Sequence, residues 1–308
     1  MLRLGLCCIF QDVPIRFRHT TAAYVRRLAP EARPPFLEAL VAANTAALVD
    51  AIRWCAAHDV GAFRVLNDLV PLVTHPEVGF RVDALPPALL DGLRAAGALA
   101  RAHDVRLSFH PDQFVVLSSV EERVVRSGLA ELEHLGHQRE LLGAAQITVH
   151  GGSAAGGKEA AAERLVAGIE RLSPRARRHL ALENDDRVWT VADLAPVLVA
   201  TGVPLVYDVH HHRCNPDGLS VAEATDLAVR TWAGREPWLH VSSPIEGWAG
   251  PKPMRHADTI DRADVPDLWK GRTFTLDVEA KAKETAVLAL RDALRAEGWP
   301  LRRARAPA

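Results

Sequence analysis

Short apolar runs alternate along this chain with longer stretches in which apolar residues return every three or four positions. The short runs lie near residues 2–7, 62–66, 105–109, 146–150, 179–183, 203–208, 237–241 and 272–278, and their length and β-branched content read as strands. The longer stretches lie near 36–58, 86–103, 121–143, 159–172, 190–201, 220–232 and 281–297. In the first of these Leu37, Leu40, Val41, Leu48, Ile52 and Cys55 recur at helical spacing. Thr190 and Ser220 stand where helix N-caps belong, the latter with Glu223 as a box partner, and Gly202 and Gly298 stand just past helix ends.

Strands separated by helices must pair in parallel, because each connection crosses over. A closed barrel and an open doubly wound sheet both satisfy that rule. No GxGxxG follows the first strand, where Gly5 is alone, so a dinucleotide-binding open sheet is disfavoured and no nucleotide cofactor is expected. The expectation is an α/β protein built as a single (β/α)8 barrel over residues 1–298, with a short basic, solvated tail at 299–308 carrying Arg302, Arg303 and Arg305. No linker divides the chain. Residues 242–271, rich in Pro and Gly, read as a long loop with one short helix.

The chain's 308 residues are 48% hydrophobic and 24% charged, enough apolar content to bury a full core and too much for disorder. Its net charge of −1 gives no global attraction to nucleic acid or membrane, although a local basic groove can sit inside a neutral total. The four cysteines lack CxxC spacing, which argues against a thiolate zinc site and for a reducing, cytoplasmic setting. No continuous apolar run reaches 18 residues, so no membrane span is expected. The outlying count is 14 histidines.

Those histidines mark strand ends. The third strand ends at His110, the fourth at His150, the fifth at Glu183 and the sixth at Asp208, followed by His210, His211 and His212. The seventh carries His240, the eighth ends at Glu279, and His256 lies in the loop between them. A lone strand-end histidine is more often structural than a ligand. In a parallel barrel, however, all these side chains converge on one face. Buried imidazoles and carboxylates without partners are unfavourable there, and divalent ions resolve both problems. Eight ligands exceed the needs of one ion, so two or three are expected, with a carboxylate bridging a pair. Three consecutive histidines cannot all face one way, which leaves the choice within 210–212 open. His75, after the second strand, is either a ninth ligand or an outer support. Lys158 and Arg213, just beyond ligand motifs, are candidate phosphate contacts.

At this point the segments SFHPDQFVVLSS, TVHGGSAAGGKE, LALENDD, VYDVHHHRCNPDG, LHVSSP, RHADTI and VEAKAKE, in that order, resemble the UV damage endonucleases of UvdE type. The resemblance covers roughly residues 1–290. It implies a barrel like that of apurinic endonuclease IV, with a trinuclear metal centre in a groove that holds bent, damaged double-stranded DNA. It implies a nick immediately 5′ of UV photoproducts, leaving a 3′-hydroxyl and a 5′-phosphate. Manganese is the ion it implies, with zinc or iron compatible with the same ligands. Carried over by position, His110 and His150 would hold one ion, with Glu183 bridging to a second that Asp208, His240 and Glu279 complete. His211 and His256 would hold the third, which selects His211 from its run. Glu183, Glu279 and Asp208 would be the catalytic carboxylates. Gln113 and Phe114 would probe the duplex, the ring wedging between unstacked bases.

Three positions depart from the family pattern. Trp238 stands where the resemblance implies a lysine carried in carboxylated form, and Leu6 and Phe10 replace residues near the lesion pocket. A monomer is expected. The rival readings are a metalloenzyme on the same barrel acting on a small molecule or peptide, as an isomerase or iron oxidase, and a damage-binding protein that does not cut.

Overall fold

A computed structural model describes residues 1–304. Its eight strands are β1 (Leu2–Cys7), β2 (Ala62–Val65), β3 (Arg106–Phe109), β4 (Gln146–His150), β5 (Leu180–Glu183), β6 (Leu205–Asp208), β7 (Trp238–Val241) and β8 (Phe274–Val278). They pair in parallel in sequence order, and β8 closes on β1. The open-sheet alternative is thereby removed.

The helices follow the expected sites closely: α2 (Arg33–Ala57), α3 (Pro87–Ala102), α4 (Glu122–Leu142), α5 (Lys158–Glu170), α7 (Val191–Thr201), α9 (Val221–Thr231) and α10 (Lys283–Ala296). Thr190 with Asp193, and Ser220 with Glu223, form complete capping boxes at α7 and α9. Gly202 takes the left-handed conformation that ends α7. Three short helices carry too few residues to show a period: α1 (Ala22–Arg27), α6 (Pro174–Arg177) and α8 (Val209–Cys214). In the 242–271 loop the expected short helix is replaced by two 3-10 turns, Arg262–Asp264 and Asp267–Trp269.

Residues 30–57 are long and apolar enough to cross a membrane by length and composition alone. In the fold they form the barrel's outer wall, burying Leu37, Leu40, Val41, Leu48, Ile52 and Cys55.

Strand alternation sorts side chains into two sets. Leu2, Leu4 and Leu6 of β1 point outward into the main core between barrel and helices, whereas Gly5 faces the lumen, where an added Cβ would meet Ala62 and Asp277. The lumen is unusually polar for a barrel of this kind, whose interiors are dominated by Val, Ile and Leu. At its lower end Arg3 bonds Glu236 and the Asp104 backbone, and Arg106 reaches Thr275. Above that charge network the Trp238 ring packs against Ala62, Ala181 and Val206, small residues that leave it room. The Arg106 guanidinium lies over the ring, 4.5 Å from its centre.

The start of the supposed tail is docked here. Trp299 is buried, Leu301 bridges to Leu2, and Arg302 pairs with Asp104 and Glu236. Arg305 lies outside the described residues.

Candidate metal centre and groove

The upper end of the lumen gathers the strand-end residues. The register sets His150 beside Glu183, and Asp208 beside His240. Glu183 and Asp208 are wholly buried and His240 nearly so. Glu183 is the hub: His110 Nε2 lies 2.6 Å from its Oε2, and His240 Nδ1 lies 2.9 Å from its Oε1. His211 Nδ1 stands 3.4 Å from Oε1, and His150 Nε2 stands 3.9 Å from Oε2. Glu279 approaches His240 Nδ1 at 3.3 Å and His256 Nδ1 at 3.8 Å.

Three ligand-like groups result, each with donor atoms within 4.8 Å of one another: His110, His150 and Glu183; Glu183, Asp208, His240 and Glu279; and His210, His211 and His256. All eight expected metal positions therefore fall in one connected cluster, with Glu183 shared between two groups.

The helix α8 explains the histidine run. Asp208 caps it, its Oδ1 accepting from the His211 backbone N–H at 2.8 Å. Successive residues then turn by a helical step, so His210 and His211 both reach the third group while His212 turns away to the Tyr207 hydroxyl and Asp217. The resemblance selects His211 alone, whereas His210 also joins the third group, and its Nε2 donates to the Pro253 carbonyl at 2.8 Å.

The residues fit divalent ions. Asp208 Oδ2 and His150 Nδ1 are buried with no hydrogen-bond partner, a costly state for polar atoms. Among the described residues, the carboxylates outnumber the permanent cation beneath them, Arg64. Burial opposes ionisation of Glu183, but His240, His150 and His110 outweigh it and hold the carboxyl well below its usual range. Burial likewise opposes charge on His211, yet Asp208 and Glu183 raise its pKa well above the ordinary value. His150, by contrast, is lowered chiefly by burial. Charge around the cluster is thus opposed between burial and the imidazole–carboxylate pairs.

The cluster floors a groove of about 970 Å³ whose walls include Asn67, Asp112, Gln113, Asp185 and Arg187. Gln113 lines the groove, and the Phe114 ring beside it is 66% exposed on the same loop. A phenyl ring so exposed has no packing role.

Other expectations move. His75 lies outside the three groups and instead accepts the Glu77 and Val78 backbone N–H groups at its Nδ1. Lys158 is paired with Asp193, and Arg213 with Asp264, and neither lines the groove. Leu6 and Phe10 do not face the groove: Leu6 points outward, and Phe10 stacks on Phe63 and meets Trp54 edge-on. The residue on the groove wall is Cys8, directly after β1, with exposed Ile9 following. Trp238 lies in the lumen below the cluster.

Two participants were missed, Arg64 of β2 and Asp277 of β8. The guanidinium donates to Asp277 Oδ2 at 2.9 Å and to Glu279 Oε1 at 2.7 Å. Their signal was present: each is a charge inside an apolar strand, at the parity that faces the lumen.

A family model described as UV-endonuclease UvdE matches residues 2–298. The UV DNA damage endonuclease of Deinococcus radiodurans is 34% identical over 306 residues, covering 94% of each chain. The crystal structure of SacUVDE matches with a TM-score of 0.84 at 28% identity, over 97% of this chain and 100% of that one. Endonuclease IV from Thermus thermophilus shares the fold, with a TM-score of 0.57 at 18% identity over 81% of this chain and 93% of that one. The family model spans nearly the whole chain and the fold agrees with it, and the chain belongs to the UV-endonuclease UvdE family.

Proposed function

We infer that this protein is a metal-dependent DNA repair endonuclease that hydrolyses the phosphodiester immediately 5′ of UV photoproducts in double-stranded DNA, leaving a 3′-hydroxyl and a 5′-phosphate. Family membership supports the class of reaction. The observation that carries the mechanism is the cluster of imidazoles and carboxylates around Glu183 at the floor of the groove. His110, His150, Glu183, Asp208, His211, His240, His256 and Glu279 are the proposed ligands of two or three divalent ions. His210 is placed to join the third group.

Manganese fits this mixed nitrogen and oxygen set, as do zinc and iron. Such ions supply Lewis-acid stabilisation of a phosphodiester and make water acidic enough to act as a nucleophile near neutral pH. The chain's own contribution is position. Glu183, Asp208 and Glu279 concentrate negative charge at one point, and the lumen walls hold them rigidly, so little reorganisation is needed as charge develops. Asp208 also fixes the start of α8 and with it the third histidine group. Gln113 lines the groove and the exposed Phe114 ring follows it on the same loop, from which a ring can fill the gap left by an unstacked base.

The decisive assay uses an end-labelled duplex bearing one defined 6-4 photoproduct, with Mn2+ and the Glu183→Gln variant alongside. The expected result is a nick just 5′ of the lesion, lost by at least 10²-fold in the variant, on the order of other electrostatic active-site losses. No nick from metal-loaded protein on photoproducts or abasic sites would reject this reading.

A further inference from the structure

Beneath the expected ligands lies a second layer of charge. Asp277 and Arg64 are both buried in the lumen. The Arg64 Nε and Nη2 atoms donate to Asp277 Oδ2 at 3.1 and 2.9 Å. The same Nη2 also reaches Glu279 Oε1 at 2.7 Å and sits 3.0 Å from His240 Nε2. Arg64 is therefore shared between a carboxylate outside the ligand cluster and one inside it.

Space for this arrangement depends on β1. Gly5 pairs in register with Asp277, and a Cβ at Gly5 would lie 2.2 Å from Asp277 Oδ1. A side chain there would push the carboxylate from its slot. Asp277 Oδ1 itself is buried without a hydrogen-bond partner, so one face of this carboxylate remains able to accept.

The His240 ring connects the two layers. Its Nδ1 faces Glu183, Glu279 and Asp208, while Nε2 faces away, 3.7 Å from Asp277 Oδ2. A neutral imidazole that offers Nδ1 to a cation carries its proton on Nε2; that N–H cannot stay against the Arg64 Nη2 donor 3.0 Å away and needs an acceptor instead. Asp277 is the carboxylate on that side. Arg64 has the opposite tendency: unpaired, a buried guanidinium takes whatever carboxylate it can reach, and Glu279 Oε1 is already within hydrogen-bond distance.

We propose that Asp277 is a positioning residue of the metal centre: it shares the Arg64 guanidinium with Glu279 and backs His240, so that Glu279 Oε2 and His240 Nδ1 stay available to a divalent ion. The proposal rests on the metal-dependent reading above, and it assigns Asp277 no contact with DNA or with the reacting phosphate.

The test is Mn2+ titration of the full chain, stripped by chelation, with free Mn2+ read by electron paramagnetic resonance and no DNA present. Asp277→Asn should weaken one class of bound Mn2+ by about 10–100-fold, the usual cost of losing an outer support. Gly5→Ala should act in the same direction by displacing the carboxylate. Adding Arg64→Met to Asp277→Asn should recover part of the loss, because the released guanidinium is gone. A purely structural role for Asp277 gives no such recovery. Circular dichroism establishes that each protein is folded, and Gly5→Ala with the double variant carries the test if Asp277→Asn does not fold. Wild-type number and affinity in the folded single variants would overturn the proposal, as would a double variant binding no tighter than Asp277→Asn. A wild-type protein that binds no Mn2+ would reject the metal-dependent reading itself, and the proposal with it. Tight wild-type binding without incision of damaged DNA rejects only the assigned reaction.

Discussion

Glu236 shows how much one side chain can carry at the closed end of this barrel. Its carboxylate takes bonds from Arg3, Arg302 and the Thr275 hydroxyl, with Arg106 beside it. Burial raises its pKa, but Arg3 and Arg106 outweigh burial and bring it down from 4.5 to about 2. A carboxylate depressed in the folded state contributes stability that is complete above its unfolded value. That contribution is lost as pH falls through the folded one. Glu236→Gln should therefore lower stability by about 1–2 kcal/mol at pH 7, allowing for solvent screening. The gap to wild type should begin to close below about pH 4.5 and vanish near pH 2. Chemical denaturation of both proteins across that range measures it, and a gap independent of pH would contradict the assignment. Trp238 belongs to the same scale: the indole fills a lumen layer lined by Ala62, Ala181 and Val206, which gives it a packing role below the candidate ligand cluster.

Among elements, the β1 loop depends on the start of α10. The Glu284 carboxylate accepts backbone N–H groups from Gln11, Asp12 and Val13 at 2.7–3.1 Å. These bonds clamp the segment that follows Cys8 on the groove wall. Glu284→Ala leaves three donors to find other partners. The expected cost is about 2–4 kcal/mol, together with faster amide exchange confined to residues 9–16. Uniform acceleration across the barrel would show a general loss of packing instead. The short helix α8 makes a similar point. Asp208 caps the histidine run as it enters its helical turn, so one residue serves both an element's start and the candidate ligand cluster.

For the molecule as a whole, the apolar core and the polar lumen are separate layers of the same wall. The main core lies between barrel and helices and does not require the cluster to be filled. Chelated protein should therefore keep its far-ultraviolet circular dichroism and melt cooperatively. Added Mn2+ at a hundredfold excess over its dissociation constant should stabilise it by about 2.7 kcal/mol per independent site, a rise of several degrees in Tm for a chain of this size. Collapse of helicity on chelation would place the ions among the requirements for folding.

The alternation of apolar runs and helical periods, with ordinary caps, determined the barrel from sequence, because parallel strands joined by helices have few ways to close. The histidines and carboxylates at strand ends determined the ligand cluster for the same reason: in such a barrel every strand ends on one face. Tertiary structure alone decided the rest. It chose which of three adjacent histidines turn inward, since that depends on where α8 starts. It left Lys158, Arg213 and His75 off the groove lining, each with a local partner. It placed Leu6 and Phe10 in the outer core, Leu6 because strand alternation turns it outward and Phe10 by packing on Phe63 and Trp54. It brought Arg64, Asp277 and Gly5 together from three strands, a contact set by barrel closure between β8 and β1, which no local pattern records.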